Sequence, residues 1–128
     1  MRYLLDTCAF LWWAEADPNL SVIAENAISD PNNEIYFTVV SSWEIAIKVR
    51  IGKLSLAQPV GSYIADQLSL YPFKLLPVEL KHSYRAATLP RHHDDPFDLL
   101  IIAQAQEENL TILTSDSKFP AYSVSLTW

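Results

Sequence analysis

The chain predicts an α/β fold in which a mainly parallel sheet is covered by helices on both faces. Three observations lead there. Apolar, β-branched runs alternate with helical stretches along the whole length. The strand candidates Tyr3-Leu4-Leu5 and Ile112-Leu113 are continuously apolar, as strands buried on both faces are. No repeat, low-complexity segment or linker divides the 128 residues, a length suited to one domain. Half of the residues are hydrophobic, enough for one core without covalent staples.

Taken in order, residues 2–5 form a short strand that runs into Asp6. Residues 8–14 and 21–29 read as helices, separated by the breaker Asp17-Pro18. Ile35-Tyr36-Phe37-Thr38-Val39 is β-branched and aromatic, hence a second strand. Ser41 or Ser42 caps the next helix, which reaches about Ile51 before Gly52 stops it, and Glu44 falls in its first turn. Pro59 suits the first turn of a helix over 59–70. Residues 73–77 are a third strand and 79–88 a helix. Pro96 opens a helix from about 96 to 108 that ends near Asn109. Residues 111–114 are a fourth strand, and Ser123–Thr127 adds a fifth at the edge.

Composition narrows the function classes. The apolar segment Tyr3–Leu5 is too short for the core of a secretory signal, and no apolar run approaches the ~18 residues of a membrane span, so a cytoplasmic, soluble protein is expected. The single cysteine, Cys8, permits no internal disulfide and suits a small buried hydrophobe. With only Gly52 and Gly61, no glycine loop is available to cradle phosphates. The net charge is −6, whereas proteins that bind nucleic acid mainly through phosphates are usually basic. Either nucleic acid is not the ligand, or the acidity is concentrated at a metal site.

The order of the acids favours a metal site. Asp6 ends the first strand, and Glu44 follows the second. Asp98 sits in the first turn of the helix opened by Pro96, and Asp116 follows the fourth strand by two residues. All four lie at the carboxyl edge of the expected sheet, where open parallel sheets bind ligands. Carboxylates gathered there repel one another, and a hard divalent cation with oxygen ligands, magnesium or manganese, offsets that repulsion. Zinc is disfavoured, because one cysteine and the adjacent His92-His93 give no ligand spacing for it. Such a cation suits phosphodiester cleavage, and one ion or two ~4 Å apart would serve. A plainer reading stands beside this one. Acids in first helical turns are favoured by capping and the helix dipole, Asp94 and Asp95 suit turn and cap positions before Pro96, and Asp116 suits a turn. Asp6 is harder to dismiss, since a carboxylate directly after a buried strand is costly unless paired.

The segments Leu4-Leu5-Asp6-Thr7, Ser42-Trp43-Glu44-Ile45, Asp95-Pro96-Phe97-Asp98 with Ile102-Ala103-Gln104-Ala105, and Leu113-Thr114-Ser115-Asp116 resemble the successive motifs of PIN domains, with the nearest likeness to VapC-type toxins. The resemblance implies one PIN domain over residues 1–128. It also implies a three-layer α/β/α sandwich around a mainly parallel sheet of four or five strands, and magnesium- or manganese-dependent cleavage of RNA. It maps the catalytic and metal-binding quartet onto Asp6, Glu44, Asp98 and Asp116. Asp98 rather than Asp95 takes the third place, since it opens the helix and stands sixteen residues before Thr114. Thr7 and Thr114 fall at supporting hydroxyl positions, with Asp95 beside them. One departure is Leu99, where many relatives carry arginine; Arg91, His92 or His93 are the residues available to substitute.

Lys48, Arg50 and Lys53, with Arg91 and Arg85 further along, are candidates for a basic rim that holds RNA, although Glu44 and Lys48 also suit a plain surface pair. Trp12, Trp13 and Trp43 read as core or interface residues ahead of base-stacking ones. By resemblance, the partners are RNA, with transfer or ribosomal RNA the usual targets, a cognate antitoxin protein whose basic tail suits this acidic chain, and a second copy in a homodimer. Alternatives are a PIN nuclease of RNA processing outside any toxin–antitoxin pair, an inactive PIN scaffold that only binds a partner, and a receiver-like phosphoacceptor domain. The receiver reading is weakened because Thr7 follows Asp6 and the third strand ends in Leu76-Pro77 without an aspartate.

Overall fold

A computed structural model describes residues 1–128. Its elements follow in chain order. Strand β1 (Arg2–Leu5) leads into helices α1 (Thr7–Ala14) and α2 (Val22–Ser29). Strand β2 (Glu34–Thr38) leads into α3 (Val39–Arg50) and α4 (Val60–Leu70). Strand β3 (Lys74–Leu76) leads into α5 (Leu80–Thr88) and α6 (Pro96–Glu108). Strands β4 (Thr111–Leu113) and β5 (Leu126–Thr127) close the chain, with a short 3-10 turn at Phe119–Ala121 between them. All neighbouring strands pair in parallel, in the order β3-β2-β1-β4-β5.

Side chains of successive strand residues point to opposite faces, and here both faces are packed. Tyr3 and Leu5 of β1, Ile35 and Phe37 of β2 and Leu113 of β4 join a core with Phe10 of α1, Ile28 of α2, Ile45 of α3 and Ile64 of α4. Phe10 and Phe37 anchor it with ring centroids 4.3 Å apart. Leu4, Leu76 and Ile112 point the other way and meet Ile101, Ile102 and Ala105 of α6 together with Phe119 and Tyr122. The result is the three-layer α/β/α sandwich expected, with a fully parallel five-stranded sheet.

Differences from expectation cluster at boundaries. Helix α3 begins at Val39, because Thr38 rather than Ser41 or Ser42 caps it: Thr38 Oγ1 accepts from the Val40 N–H at 3.1 Å. Glu44 therefore lies in the second turn, where neither capping nor the helix dipole accounts for an acid. Pro59 is the N-cap residue of α4 rather than a member of its first turn. The fifth strand is only Leu126–Thr127, since the backbone before it is used in the 3-10 turn and the bends that follow. Asn109 ends α6 in the left-handed conformation (φ 55°), as a helix-terminating asparagine does.

One buried polar contact fixes α6 against the sheet. Gln104, fully buried, accepts from Thr38 Oγ1 at 2.5 Å and donates from Nε2 to the Pro77 carbonyl at 3.2 Å. It thereby ties the carboxyl ends of β2 and β3 to the helix that carries Asp98.

Candidate functional site

The chain passes from β1 to β2 on one side and later returns to β4 on the other, so the crevice at the carboxyl ends of β1 and β4 is the topological switch point. A helix that precedes a parallel strand must begin at the carboxyl edge of the sheet, and this places the start of α6 at the same crevice. Asp6 leaves β1, Glu44 comes from α3, Asp98 is the third residue of α6, and Asp116 follows β4. The four acids are electrostatic neighbours: Asp6 feels the charges of Asp116 and Glu44, and Asp98 those of Asp95, Asp116 and Glu44.

Each acid is held in its own way. Asp6 is buried and caps α1: its Oδ1 accepts from the Ala9 N–H at 2.7 Å and its Oδ2 from the Thr114 hydroxyl. The Thr114 oxygen in turn accepts from the Asp116 N–H at 3.0 Å, which couples the first and fourth acids through one hydroxyl. Asp116 is half-buried, and its Oδ1 accepts from the Lys118 N–H at 2.9 Å. Glu44 is buried; Thr7 Oγ1 donates to its Oε1 at 2.6 Å, and Lys48 Nζ lies 3.0 Å from its Oε2. Since the Thr7 proton goes to Glu44, the 2.9 Å contact between Thr7 and Ser41 is a donation from Ser41. Asp98 is buried and takes one contact, from His93 Nε2 to Oδ2 at 3.1 Å. Asp95 is the N-cap of α6: its Oδ1 accepts from the N–H groups of Phe97 and Asp98 at 2.9 and 3.2 Å.

The electrostatics are unfavourable as they stand. Burial first, and then the charges of Asp116 and Glu44, push the Asp6 carboxyl up to about 6 against its hydrogen bonds. Burial and the charge of Asp95 do the same for Asp98, also to about 6. Lys48 is the one basic side chain paired with a member of the quartet by an ion pair that does not depend on histidine protonation. No three ligating oxygens of the quartet lie within 4.8 Å of one another. The donor set is all oxygen, which suits a hard divalent cation and not zinc.

Expectations for the surrounding residues divide. Thr7 donates to Glu44 and Thr114 donates to Asp6. The Glu44–Lys48 pair is not a plain surface pair, since Glu44 is buried in the crevice wall. Arg50 and Lys53 are exposed near the end of α3. Arg91 is exposed and paired with Asp94 at 3.2 Å, and Arg85 pairs with Glu107 at 2.9 Å, so neither contacts the quartet. Leu99 packs into the core on the α6 side. Cys8 is exposed rather than buried; desolvation and the Asp6 charge push its thiol up to about 11. Trp12 and Trp13 are half-buried, edge-on to Trp128 and Tyr71 respectively, whereas Trp43 is 63 % exposed. The residues that sequence reasoning missed are Ser41 and Tyr122, whose contacts span 34 and 29 positions and leave no local signal.

A second acid-and-histidine cluster, Glu79, His82 and Glu108, is tighter than the quartet. The Glu79 N–H donates to His82 Nδ1 at 3.0 Å, so the ring of a neutral His82 carries its proton on Nε2 and donates to Glu108 at 3.2 Å. Lys81 lies 2.9 Å from the same Glu108 oxygen. With both ring nitrogens and the acid already engaged, this is a helix clamp and not a cation site.

A PIN-domain family model matches residues 3–124 of the chain. Ribonuclease VapC16 of Mycobacterium tuberculosis (strain ATCC 25618 / H37Rv) is 33% identical over 85 residues, 60% of this chain and 60% of that protein. The chain thus spans about 60% of the length of the curated relative it matches. Among solved structures, the VapBC2 complex of Rickettsia felis bound to a promoter DNA fragment contains a chain that superposes with a TM-score of 0.73 at 21% identity, covering 100% of this chain and 99% of that one. A chain of VapBC-1 from nontypeable Haemophilus influenzae superposes with a TM-score of 0.66 at 19% identity, covering 99% and 97%. These likenesses establish the fold. The receiver-like alternative is also excluded by topology, since that class orders its strands 2-1-3-4-5 rather than 3-2-1-4-5.

Proposed function

The chain belongs to the PIN-domain family, and from that premise we propose that it is a VapC-type endoribonuclease, the toxin of a toxin–antitoxin pair, built as one PIN domain over residues 1–128. The observation that carries the proposal is the convergence of Asp6, Glu44, Asp98 and Asp116 from four separate segments on one switch-point crevice. There, burial first and then the neighbouring acids push two of them up to about 6. With Lys48 the single ammonium paired with the four acids, the crevice suits a cation from solution.

The acids named are the proposed ligands of magnesium or manganese. A bound divalent cation supplies an activated water and stabilises charge on the phosphate under attack. The protein's own groups set the geometry. Thr114 and the Ala9 N–H orient Asp6, Thr7 and Ser41 orient Glu44, and Asp95 caps the turn that presents Asp98. Lys48, with its Nζ on Glu44, is the proposed first contact for RNA phosphate, and exposed Arg50 and Lys53 are the further candidates for the basic rim. Arg91 remains a candidate only if it exchanges Asp94 for RNA.

The partner readings are part of the same proposal: an RNA substrate of the transfer or ribosomal class, a cognate antitoxin and a second copy. Two of the similar structures are of VapBC2 and VapBC-1, and a third is of a member of the VapBC family of toxin–antitoxin systems. Here exposed Trp43 lines an apolar groove with Val39, Val78, Phe97 and Leu100, beside the starts of α3 and α6. A groove of that kind next to an acidic crevice suits a partner segment that combines apolar and basic residues. Antitoxin-free protein should cleave RNA with magnesium or manganese, cease with chelator, and lose activity in Asp98→Asn while circular dichroism stays native. Cleavage that persists in Asp98→Asn at the wild-type rate would refute the site assignment.

A further inference from the structure

We propose that His93 and Tyr122 form a positioning pair that fixes the Asp98 carboxylate for the divalent cation. The proposal rests on the metal-site reading above and goes beyond it to residues that have no place in the acidic quartet.

Three of the four acids are anchored by a backbone N–H or by a neighbour on their own element. Asp6 takes the Ala9 N–H, Asp116 takes the Lys118 N–H, and Glu44 takes Lys48 from its own helix. Asp98 differs. Its side chain takes no backbone hydrogen bond; its one partner is His93 Nε2, 3.1 Å from Oδ2, and Oδ1 takes no protein hydrogen bond. His93 belongs to the irregular segment before α6, so it needs a tether of its own. The tether is Tyr122, 5 % exposed, whose hydroxyl lies 2.7 Å from His93 Nδ1. Tyr122 is held by its N–H, which donates to the Phe119 carbonyl at 3.0 Å, and by its place in the core on the α6 side.

The hydrogen bonds run in one direction. An ionised carboxylate only accepts, so Nε2 carries the proton it donates to Asp98. In a neutral ring Nδ1 is then bare and accepts from the Tyr122 O–H. The chain Tyr122 O–H to His93 to Asp98 pins one carboxylate oxygen and leaves the other for a ligand. A neutral donor does so without placing a full positive charge beside the cation. Leu99, the neighbour of Asp98, packs into the core and contributes no donor, so the orienting group on this wall of the crevice is His93. Partners that orient a metal ligand in this manner are commonly worth ten- to a hundredfold in metal affinity.

The test is manganese binding by calorimetry on the full chain, read beside the melting temperature in chelator. His93→Phe is expected to weaken manganese about tenfold, and Tyr122→Phe about threefold. His93→Gln, whose amide nitrogen reaches where Nε2 lies, should stay within about threefold of wild type. Cleavage by His93→Phe should recover as manganese is raised. A wild type that binds manganese and a folded His93→Phe that binds it equally well overturn the positioning role alone. A loss shared equally by His93→Phe and His93→Gln, in step with a lower melting temperature in chelator, assigns His93 to structure and overturns it too. A wild type that binds no manganese overturns the metal-site reading, and this proposal with it.

Discussion

Helix α6 carries an acid at each end, and the two live in opposite electrostatic worlds. Asp98 is in its first turn, where the helix dipole favours negative charge; Glu108 is its last residue, ~15 Å away, where the dipole opposes it. The outcome is the reverse of what the dipole alone would give. Asp98 is pushed up to about 6 by burial and by Asp95, whereas Glu108 is held below the usual glutamate range, first by Lys81 and also by His82. Burial outweighs the dipole at Asp98, and local partners outweigh it at Glu108. Glu108 has both an ammonium and an imidazole on its carboxylate, whereas Asp98 has a single donor and no ammonium or guanidinium partner. That difference separates a site from a clamp more clearly than closeness does, since the clamp's ligating atoms are the nearer together.

Exchanging the two acids one at a time breaks the comparison most directly. Asp98→Asn should lower RNA cleavage by more than about a hundredfold, beyond the range of losses at a mere supporting group. It should leave the melting temperature in chelator unchanged or higher, because it removes charge from a repelling group. Glu108→Gln should do the opposite. Its cleavage rate should stay near wild type, while the loss of charge beside Lys81 and His82 costs about 1 kcal/mol and a few degrees of melting temperature. A Glu108→Gln protein that is fully stable but inactive would invert the assignment of the two ends.

Addition of metal sharpens the same contrast. Manganese at a hundred times its dissociation constant should stabilise the wild type by about 2.7 kcal/mol. Glu108→Gln should respond as fully as wild type, and Asp98→Asn much less. Differential scanning calorimetry with and without chelator measures all three. An equal response in the three proteins would place the cation elsewhere.

Three acids of the crevice are legible in the sequence because each follows or opens an element whose hydrophobic period can be read, whereas Glu44, in the second turn of α3, has no such mark. Tyr3–Leu5 leads into Asp6, Pro96 precedes Asp98, and Ile112-Leu113 precedes Asp116. The hydroxyl supports Thr7 and Thr114 are legible only through the family resemblance, because no local signal marks hydrogen bonds that the fold forms between segments distant in sequence. Thr114 reaches Asp6 across 108 positions and Thr7 reaches Glu44 across 37. The start of α3 is hard to read from sequence for a different reason. Thr38, Ser41 and Ser42 are all good caps, and the apolar residues Val39 and Val40 continue the strand's composition, so the boundary is identified by the bond that Thr38 Oγ1 accepts from the Val40 N–H. The clamp at Glu79, His82 and Glu108 joins two helices that the sequence does predict, through a pairing it does not.

Smaller in size, but specific in sign, is the pH dependence. A carboxyl that is harder to ionise in the folded than in the unfolded chain favours folding fully below its unfolded value, near 3.8 here, and loses that contribution as pH rises through about 6. In chelator, the wild type should therefore melt higher at pH 5 than at pH 7.5, by about 4 °C if the two acids together contribute about 1 kcal/mol. The Asp6→Asn, Asp98→Asn double variant should have a flatter profile. Glu108 contributes in the opposite sense, but its window lies below the usual glutamate range, beneath the interval measured. Manganese should cancel the trend, because a bound cation favours the ionised acids that protons oppose. A wild-type profile that falls toward pH 5 in chelator would mean that the crevice acids are compensated by charge after all, and the contrast between the two ends of α6 would then disappear.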